Sequence, residues 1–214
     1  MLLIDYLEAV ICNMYLLGLD IGSSSVKLSI VEAETCRELA FIRHPKQDFE
    51  METAQPGWAE QNPLDWWDAV CNGISEIIRV SGIRADQIIS IGIAYQMHGL
   101  VLLDKNHKLL RKAIIWCDSR AVETGEKMLD TLGKDYCEER LLNHPSNFTA
   151  ARLLWVKENE PDVFGKIHKI LLPGDYISMC LTAEISTTVS GLSEAILWDF
   201  KNDCLAESVL RMYD

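Results

Sequence analysis

The sequence predicts an α/β protein with a mixed sheet flanked by helices, and three observations carry that expectation. An apolar strand, a glycine-serine turn and a second strand occupy residues 16–31; a capped amphipathic helix opens at Asn62-Pro63; short apolar runs then alternate with helical segments.

Leu16, Leu17 and Leu19 give the first strand its bulk, and Asp20 stands at its end. Gly22 permits a turn that a Cβ would oppose, and Ser23, Ser24 and Ser25 place hydroxyls beside backbone N–H groups. Val26, Leu28 and Ile30 then alternate with Lys27, Ser29 and Val31, so the second strand has one apolar face. Residues 38–43 form a third strand and complete a meander of hairpins. Pro45, Pro56 and Gly57 punctuate a polar stretch over 44–61, which is expected to be a long ordered loop. Asn62 caps a helix with Pro63 at its first position and Asp65 in its first turn. Gly82 stops it after Ser81, and Trp66, Val70, Ile74, Ile77 and Ile78 form its buried stripe, with Cys71 counted as packing. Residues 88–94 read as a buried strand, and 100–103 and 113–116 as shorter ones. Helices are expected over 121–132, 135–142 and 149–159, then a strand over 167–172 and a helix from Pro173 to about Leu181. The Ser/Thr-rich run 186–193 reads as a structural loop.

The 214-residue chain is long enough to bury a core of its own, and 49% hydrophobic with 24% charged residues is the balance of a folded globular protein. A net charge of −12 argues against nucleic acid, whose backbone is bound by basic residues that displace counterions. An anionic nucleotide remains compatible, because local N–H groups and one or two cations suffice for it. Seven widely spaced cysteines without a Cys-x-x-Cys pair point to reduced thiols and a cytoplasmic protein. No apolar run is long enough to span a bilayer, so no membrane partner is expected. The first thirteen residues carry Asp5 and Glu8 and no basic region, unlike a signal peptide. They are expected to be an extension ahead of a natural start at Met14, a short amphipathic helix being the alternative.

Three groups of residues can carry chemistry. Asp20 with Gly22, Ser23, Ser24 and Lys27 reads as a phosphate loop in which the carboxylate holds Mg²⁺ through water; an ordinary hairpin is the competing reading. Gln96-Met97-His98-Gly99 leaves the end of a strand, where α/β sheets bind ligands. Gln96 and His98 can hydrogen-bond sugar hydroxyls and Met97 can supply an apolar contact, against the alternative of a plain turn with a capped histidine. In Trp116-Cys117-Asp118-Ser119-Arg120, the indole can pack on a sugar's C–H face, while Asp118 and Arg120 bind hydroxyls or orient the loop. Asp118 as a helix N-cap is the alternative. Trp58 is expected to anchor the long loop by burial, and Trp66-Trp67 and 153–156 to be packed helix faces. No Gly-x-Ser-x-Gly elbow, His-Glu-x-x-His helix or Walker-type loop is present.

Taken together, the segments G-L-D-I-G-S-S-S-V-K, P-G-W-A-E-Q-N-P, I-G-I-A-Y-Q-M-H-G-L-V-L-L-D, A-I-I-W-C-D-S-R, N-F-T-A-A-R-L-L-W-V and K-I-L-L-P-G-D-Y resemble the N-terminal half of carbohydrate kinases of the FGGY family. Q-M-H-G points to the xylulokinase branch. The resemblance covers residues 14 to about 198 and implies an actin-like, ribonuclease-H-like domain, one of two that face each other in such enzymes. It implies ATP and Mg²⁺ as cofactors and D-xylulose as the sugar, phosphorylated on its 5-hydroxyl. By the same resemblance Asp20 acts near Mg²⁺ and the γ-phosphate, Ser23 and Ser24 bind phosphate, Lys27 adds charge, and Met97 and His98 bind the ketose with Gln96 close by. Trp116, Asp118 and Arg120 match sugar-pocket positions less closely. Another ketose or polyol, or a non-catalytic sugar-binding or assembly module, are the competing functions, and a homodimer is left open.

Two departures stand out. Relatives carry Asp-Ala-Ser-Gly-Thr or a near variant around position 190, whereas this chain reads Ser190-Gly191-Leu192-Ser193-Glu194, with Glu194 a candidate substitute contact. The family's general-base aspartate lies in a Gly-Gly-x-Asp-Asn-type motif that residues 1–214 do not contain. The expectation is therefore residues 14–214 as a sugar-binding N-terminal domain that lacks its ATP-binding partner domain and is inactive alone, with its catalytic base beyond residue 214.

Overall fold

A computed structural model describes residues 14–214, and the N-terminal extension expected over 1–13 lies outside the described residues. The described residues divide into two compact units, one comprising residues 14–49 together with 64–95, the other 50–63 together with 96–214.

The first unit is a four-stranded mixed sheet in the order β3-β2-β1-β5 with one long helix. β1 (Tyr15–Ile21), β2 (Val26–Glu32) and β3 (Glu38–His44) form the expected antiparallel meander, and β5 (Ile88–Tyr95) joins β1 in parallel. Alternation decides the faces: Leu17, Leu19, Ile21, Val26, Leu28 and Ile30 are buried, while Gly18, Asp20, Lys27 and Ser29 lie on the opposite side. Helix α1 (Pro63–Ser81) packs with Trp66, Ala69, Val70, Gly73 and Ile77; Ile74 and Ile78 are half-buried at the edge of the stripe. Gly73 sits directly against the Leu28 side chain. Cys71 was expected in the packing, but it lies on the exposed side of α1. Residues 88–94 also depart from expectation, because β5 is an edge strand and leaves Ile89 54% and Ile91 41% exposed. An apolar run fixes strand length but not the cover over it.

The second unit carries two short antiparallel ladders. β4 (Glu60–Gln61) pairs with β7 (Ala113–Ile114), and β6 (Val101–Leu103) with β8 (Lys169–Leu171). A bridge between Leu100 and Ile114 joins the two. Around them lie α2 (Val122–Leu132), α3 (Thr149–Asn159), α4 (Pro173–Thr182) and α5 (Val189–Glu194), with a hairpin of β9 (Trp198–Asp199) and β10 (Cys204–Leu205). Residues 135–142 coil as Lys134–Tyr136 followed by a wider turn over Cys137–Leu141, and the run expected as a loop over 186–193 forms α5, capped by the Thr188 hydroxyl. A Thr cap on a six-residue helix is a weak signal in a Ser/Thr-rich run, which explains the miss.

Helix α3 is the hub of this unit. Ala150, Ala151 and Leu154 belong to a cluster with Ala121, Met128, Cys137 and Val209, while Leu153 and Val156 belong to another with Leu100, Leu102 and Ile114. The six cysteines among the described residues are all free thiols, and no described helix is long and apolar enough to cross a membrane.

Gly125, in α2, is where the backbone of Ser146 presses on the helix: a Cβ there would overlap the Ser146 carbonyl. Gly125→Ala is therefore expected to destabilise by about 1–3 kcal/mol or more through overpacking, although helix propensity alone favours alanine by about 1 kcal/mol. Urea denaturation of the two chains checks the sign.

Candidate functional site

The Gly-Ser turn after β1 closes tightly. Gly22 N–H donates to the Ser25 carbonyl at 3.0 Å and to that of Asp20 at 3.2 Å. A Cβ on Gly22 would lie 3.1 Å from the Ser25 carbonyl oxygen, so glycine is favoured here by space. A Cβ is opposed here as expected, by crowding and not by a positive φ, since Gly22 is not among the residues with positive φ. Ser24 is exposed and its carbonyl accepts from Phe49 N–H at 2.8 Å, Ser23 is half-buried, and the buried Ser25 hydroxyl accepts from Arg43 Nε at 2.8 Å.

Asp20 and Lys27 are cross-strand partners in the β1–β2 register, and their side chains form an ion pair of 2.8 Å, each about half exposed. Lys27 thus already has an anionic partner, which the sequence did not assign to it. Gly18, Leu19, Asp20, Lys27, Leu28, Ser29 and Phe41 line a shallow depression of about 230 Å³ beside the pair. Among the described residues no cluster of three His, Cys, Asp or Glu side chains exists to hold a metal. A single half-exposed carboxylate beside hydroxyls and N–H groups fits a cation held through water and phosphate oxygens, and not one caged by protein.

The second group is built by register. Leu100 N–H donates to the Ile114 carbonyl at 2.9 Å and Ile114 N–H returns the bond at 3.3 Å, and His98 and Trp116 each lie in a turn two residues from this bridged pair. Both turns end on one side chain: Arg152 of α3 donates from Nη1 to the His98 carbonyl and from Nη2 to the carbonyls of Trp116, at 3.0 Å, and Asp118, at 3.3 Å. Asn147 Nδ2 also donates to the Asp118 carbonyl. Arg152 is fully buried, and burial pushes its pKa down to about 10, still charged at neutral pH.

His98 has a left-handed backbone, φ 60°, which non-glycine residues seldom adopt. Three contacts hold it there. Its N–H donates to Glu194 Oε1 at 2.6 Å, its carbonyl accepts from Arg152, and its ring lies against Phe148 at 4.0 Å between centroids, tilted by 39°. Burial, with the Arg152 charge second, lowers its pKa to about 4, so the imidazole is neutral at pH 7. Met97 beside it is 55% exposed and Trp116 51%. Gln96 is buried and donates from Nε2 to Gln61 Oε1 at 3.4 Å; among the described residues its Oε1 and His98 Nδ1 are buried without a hydrogen-bond partner.

Asp118 and Arg120 behave differently from a ligand-binding pair. The Asp118 carboxylate accepts from Ala59 N–H at 2.6 Å, from Arg120 N–H at 2.9 Å and from Arg120 Nη2 at 2.7 Å. The Arg120 guanidinium stacks 3.8 Å from the Trp58 ring centroid, and its Nη1 lies 2.7 Å from Glu60 Oε1. Their side chains are 0% and 1% exposed, so they orient the loop and present no surface to a ligand. Asp118 is not the cap of α2 either, since Ala121 precedes that helix. Trp58 packs edge-on against Trp155 at 5.3 Å and anchors the long loop as expected.

Comparison with known proteins fits this geometry. Residues 15–214 match the family model of the N-terminal domain of the FGGY family of carbohydrate kinases. The chain belongs to the FGGY family. A xylulose kinase of Bacillus subtilis is 34% identical over 192 residues, 86% of this chain and 36% of that one. An L-xylulose/3-keto-L-gulonate kinase of Escherichia coli is also 34% identical over 192 residues, 87% of this chain and 37% of the relative. A crystal structure of a xyloylose kinase from Brucella ovis superposes with a TM-score of 0.81 at 31% identity, covering 92% of this chain and 40% of that one. This FGGY chain therefore spans well under half the length of these relatives, and its fold is the actin-like, ribonuclease-H-like one of the family's solved structures.

Arg152 and Glu194 are the residues that sequence reasoning undervalued. An arginine inside the apolar run T-A-A-R-L-L-W-V was the available signal, because arginine is seldom fully buried without partners. Arg152→Met is expected to take the arginine donor from the His98 and Trp116 carbonyls, that of Asp118 keeping Asn147, at about 1–3 kcal/mol for each that finds no other donor or water, and chemical denaturation measures the loss. His98→Asn tests the proton linkage. The folded-state pKa lies below the ordinary 6.5, so the unfolded chain binds a proton the folded one refuses, and stability falls as pH drops from about 6.5 towards 4. Asparagine tolerates the left-handed backbone, and the variant is expected to fold with a shallower acid slope over that window.

Proposed function

We propose that this chain is the sugar-binding portion of an ATP-dependent ketose kinase, and that the sugar is D-xylulose, phosphorylated on its 5-hydroxyl. The observation that carries the reading is His98: a neutral imidazole in a left-handed turn, beside an exposed methionine and tied through Arg152 to the turn of an exposed tryptophan. Neutral hydrogen-bonding groups next to apolar surface suit a polyol, whose hydroxyls need partners and whose C–H faces need cover. The 34% identity to a xylulose kinase supports the same sugar. The equal identity to an L-xylulose/3-keto-L-gulonate kinase supports a second reading, in which the ligand is another ketose or its acid derivative.

In this reading His98, Met97 and Trp116 touch the ketose, and the buried Gln96 backs them. Asp118 and Arg120 hold the Trp116 turn in place. Asp20 would hold Mg²⁺ through water, while Gly22, Ser23 and Ser24 meet phosphate oxygens and Lys27 exchanges its bond with Asp20 for one with phosphate. The bound metal-nucleotide supplies the phosphoryl group and neutralises charge developing on it. The base that takes the hydroxyl proton is not among residues 1–214, and this chain by itself binds sugar without turnover.

Calorimetric titration of the chain with D-xylulose, L-xylulose and glycerol tests the reading. Preferential D-xylulose binding, weakened about tenfold or more by His98→Ala, is expected; a tenfold loss corresponds to about 1.4 kcal/mol. Indifference to every ketose, or an affinity that His98→Ala leaves unchanged, would overturn it. A coupled assay with MgATP and D-xylulose is expected to show no turnover.

A further inference from the structure

Glu194 ends helix α5, in the segment where this chain departs from the family pattern, and its carboxylate does more than cap a turn. Oε1 accepts the His98 N–H at 2.6 Å and lies 3.9 Å from Nδ1 of the same ring. Nδ1 is buried and makes no hydrogen bond among the described residues, and the carboxylate oxygen 3.9 Å away is an acceptor within its reach. A neutral imidazole carries one proton, on Nδ1 or on Nε2, and the surroundings of one nitrogen decide the state of the other. With the proton on Nδ1, a positive N–H edge faces the carboxylate. With it on Nε2, a lone pair on the buried Nδ1 faces the carboxylate and the two repel.

We infer that Glu194 is a positioning residue that fixes His98 in its Nδ1–H tautomer, leaving Nε2 as a hydrogen-bond acceptor that selects ligands presenting a hydroxyl donor. The inference rests on the reading of His98 as a ligand contact. It gives Glu194 a role different from a direct sugar contact: the residue acts through the ring, and it also holds the left-handed backbone from which the ring projects. The lowered pKa of His98 agrees, since a tautomer can select a ligand only where the ring stays neutral.

Nitrogen-15 NMR of the imidazole separates the two tautomers directly and needs neither nucleotide nor turnover. The unmodified chain at pH 7 is expected to show His98 protonated on Nδ1 and bare on Nε2. Glu194→Gln keeps an oxygen for the His98 N–H and removes the charge, so the Nε2–H form is expected to gain population and D-xylulose affinity to fall about tenfold. An Nε2–H ring in the unmodified chain overturns the inference whether or not any variant folds, as does a folded Glu194→Gln chain with an unchanged tautomer. Added D-xylulose is expected to shift the Nε2 resonance while Nδ1 stays protonated; binding with the proton moved to Nε2 also overturns it. If no ketose binds but the Nδ1–H tautomer is found and depends on Glu194, the sugar-kinase reading fails and the hold of Glu194 on the ring stands.

Discussion

The second unit is organised around one buried cation. Arg152 sits in the middle of α3, a helix packed on both sides, and its guanidinium is answered mainly by three backbone carbonyls rather than by a bidentate carboxylate. A charge in such a place is costly unless it is paired, because desolvation of an unpaired ion costs far more than packing returns; both Nη atoms are used, while among the described residues the buried Nε has no partner. Those carbonyls belong to His98, Trp116 and Asp118, in the two turns that follow from the Leu100–Ile114 bridge. The packing of α3 and the placement of both turns are therefore one constraint. A turn that moved would strand a buried carbonyl, an arginine donor or both.

The first unit solves a different problem with weaker forces. Its Asp20–Lys27 pair is half exposed, and surface pairs of this kind contribute about 0–1 kcal/mol, so it does not hold the sheet together. The sheet rests on the buried alternation of β1 and β2 against α1. What the pair does is keep the carboxylate and the ammonium side by side at the mouth of the Gly-Ser turn, each available for exchange with a charged ligand. A rigid buried pair could not exchange in this way. The low stability of the pair leaves both groups able to change partners.

Periodicity made most of the fold legible in the sequence. The period-two pattern of residues 16–31, the Asn62-Pro63 start and Gly82 stop of α1, and the limits of α3 all follow from local chemistry. What failed was environment. The apolar run at 88–94 gave a strand but not its edge position, and Cys71 gave a helix position but not its outward face. The same limit governed the site. Gln96, Met97, His98 and Trp116 were visible as polar and aromatic residues at strand ends. Asp118 and Arg120 looked equally suited to ligand and only their burial separates them. Glu194 was visible as a departure, yet its partner lies 96 residues away, a separation that no local pattern encodes.

The choice of carbonyls over carboxylates around Arg152 bears on the chemistry of His98. A carboxylate bound closely to the imidazole would favour the charged ring and lift its pKa, whereas a buried cation nearby with dipolar partners pushes the other way. Glu194 sits between these cases: it bonds the backbone N–H at 2.6 Å but stays 3.9 Å from the ring nitrogen, near enough to orient a proton and too far to form a tight ion pair. The result is a ring that burial and Arg152 keep neutral, with its pKa near 4, and in the role we infer for Glu194 the carboxylate distinguishes its two nitrogens. A charged imidazole donates from both nitrogens, and a freely tautomerising one has no fixed pattern. A neutral ring with one nitrogen assigned presents a single acceptor in a fixed direction, which is what discrimination among uncharged sugars by hydroxyl position requires.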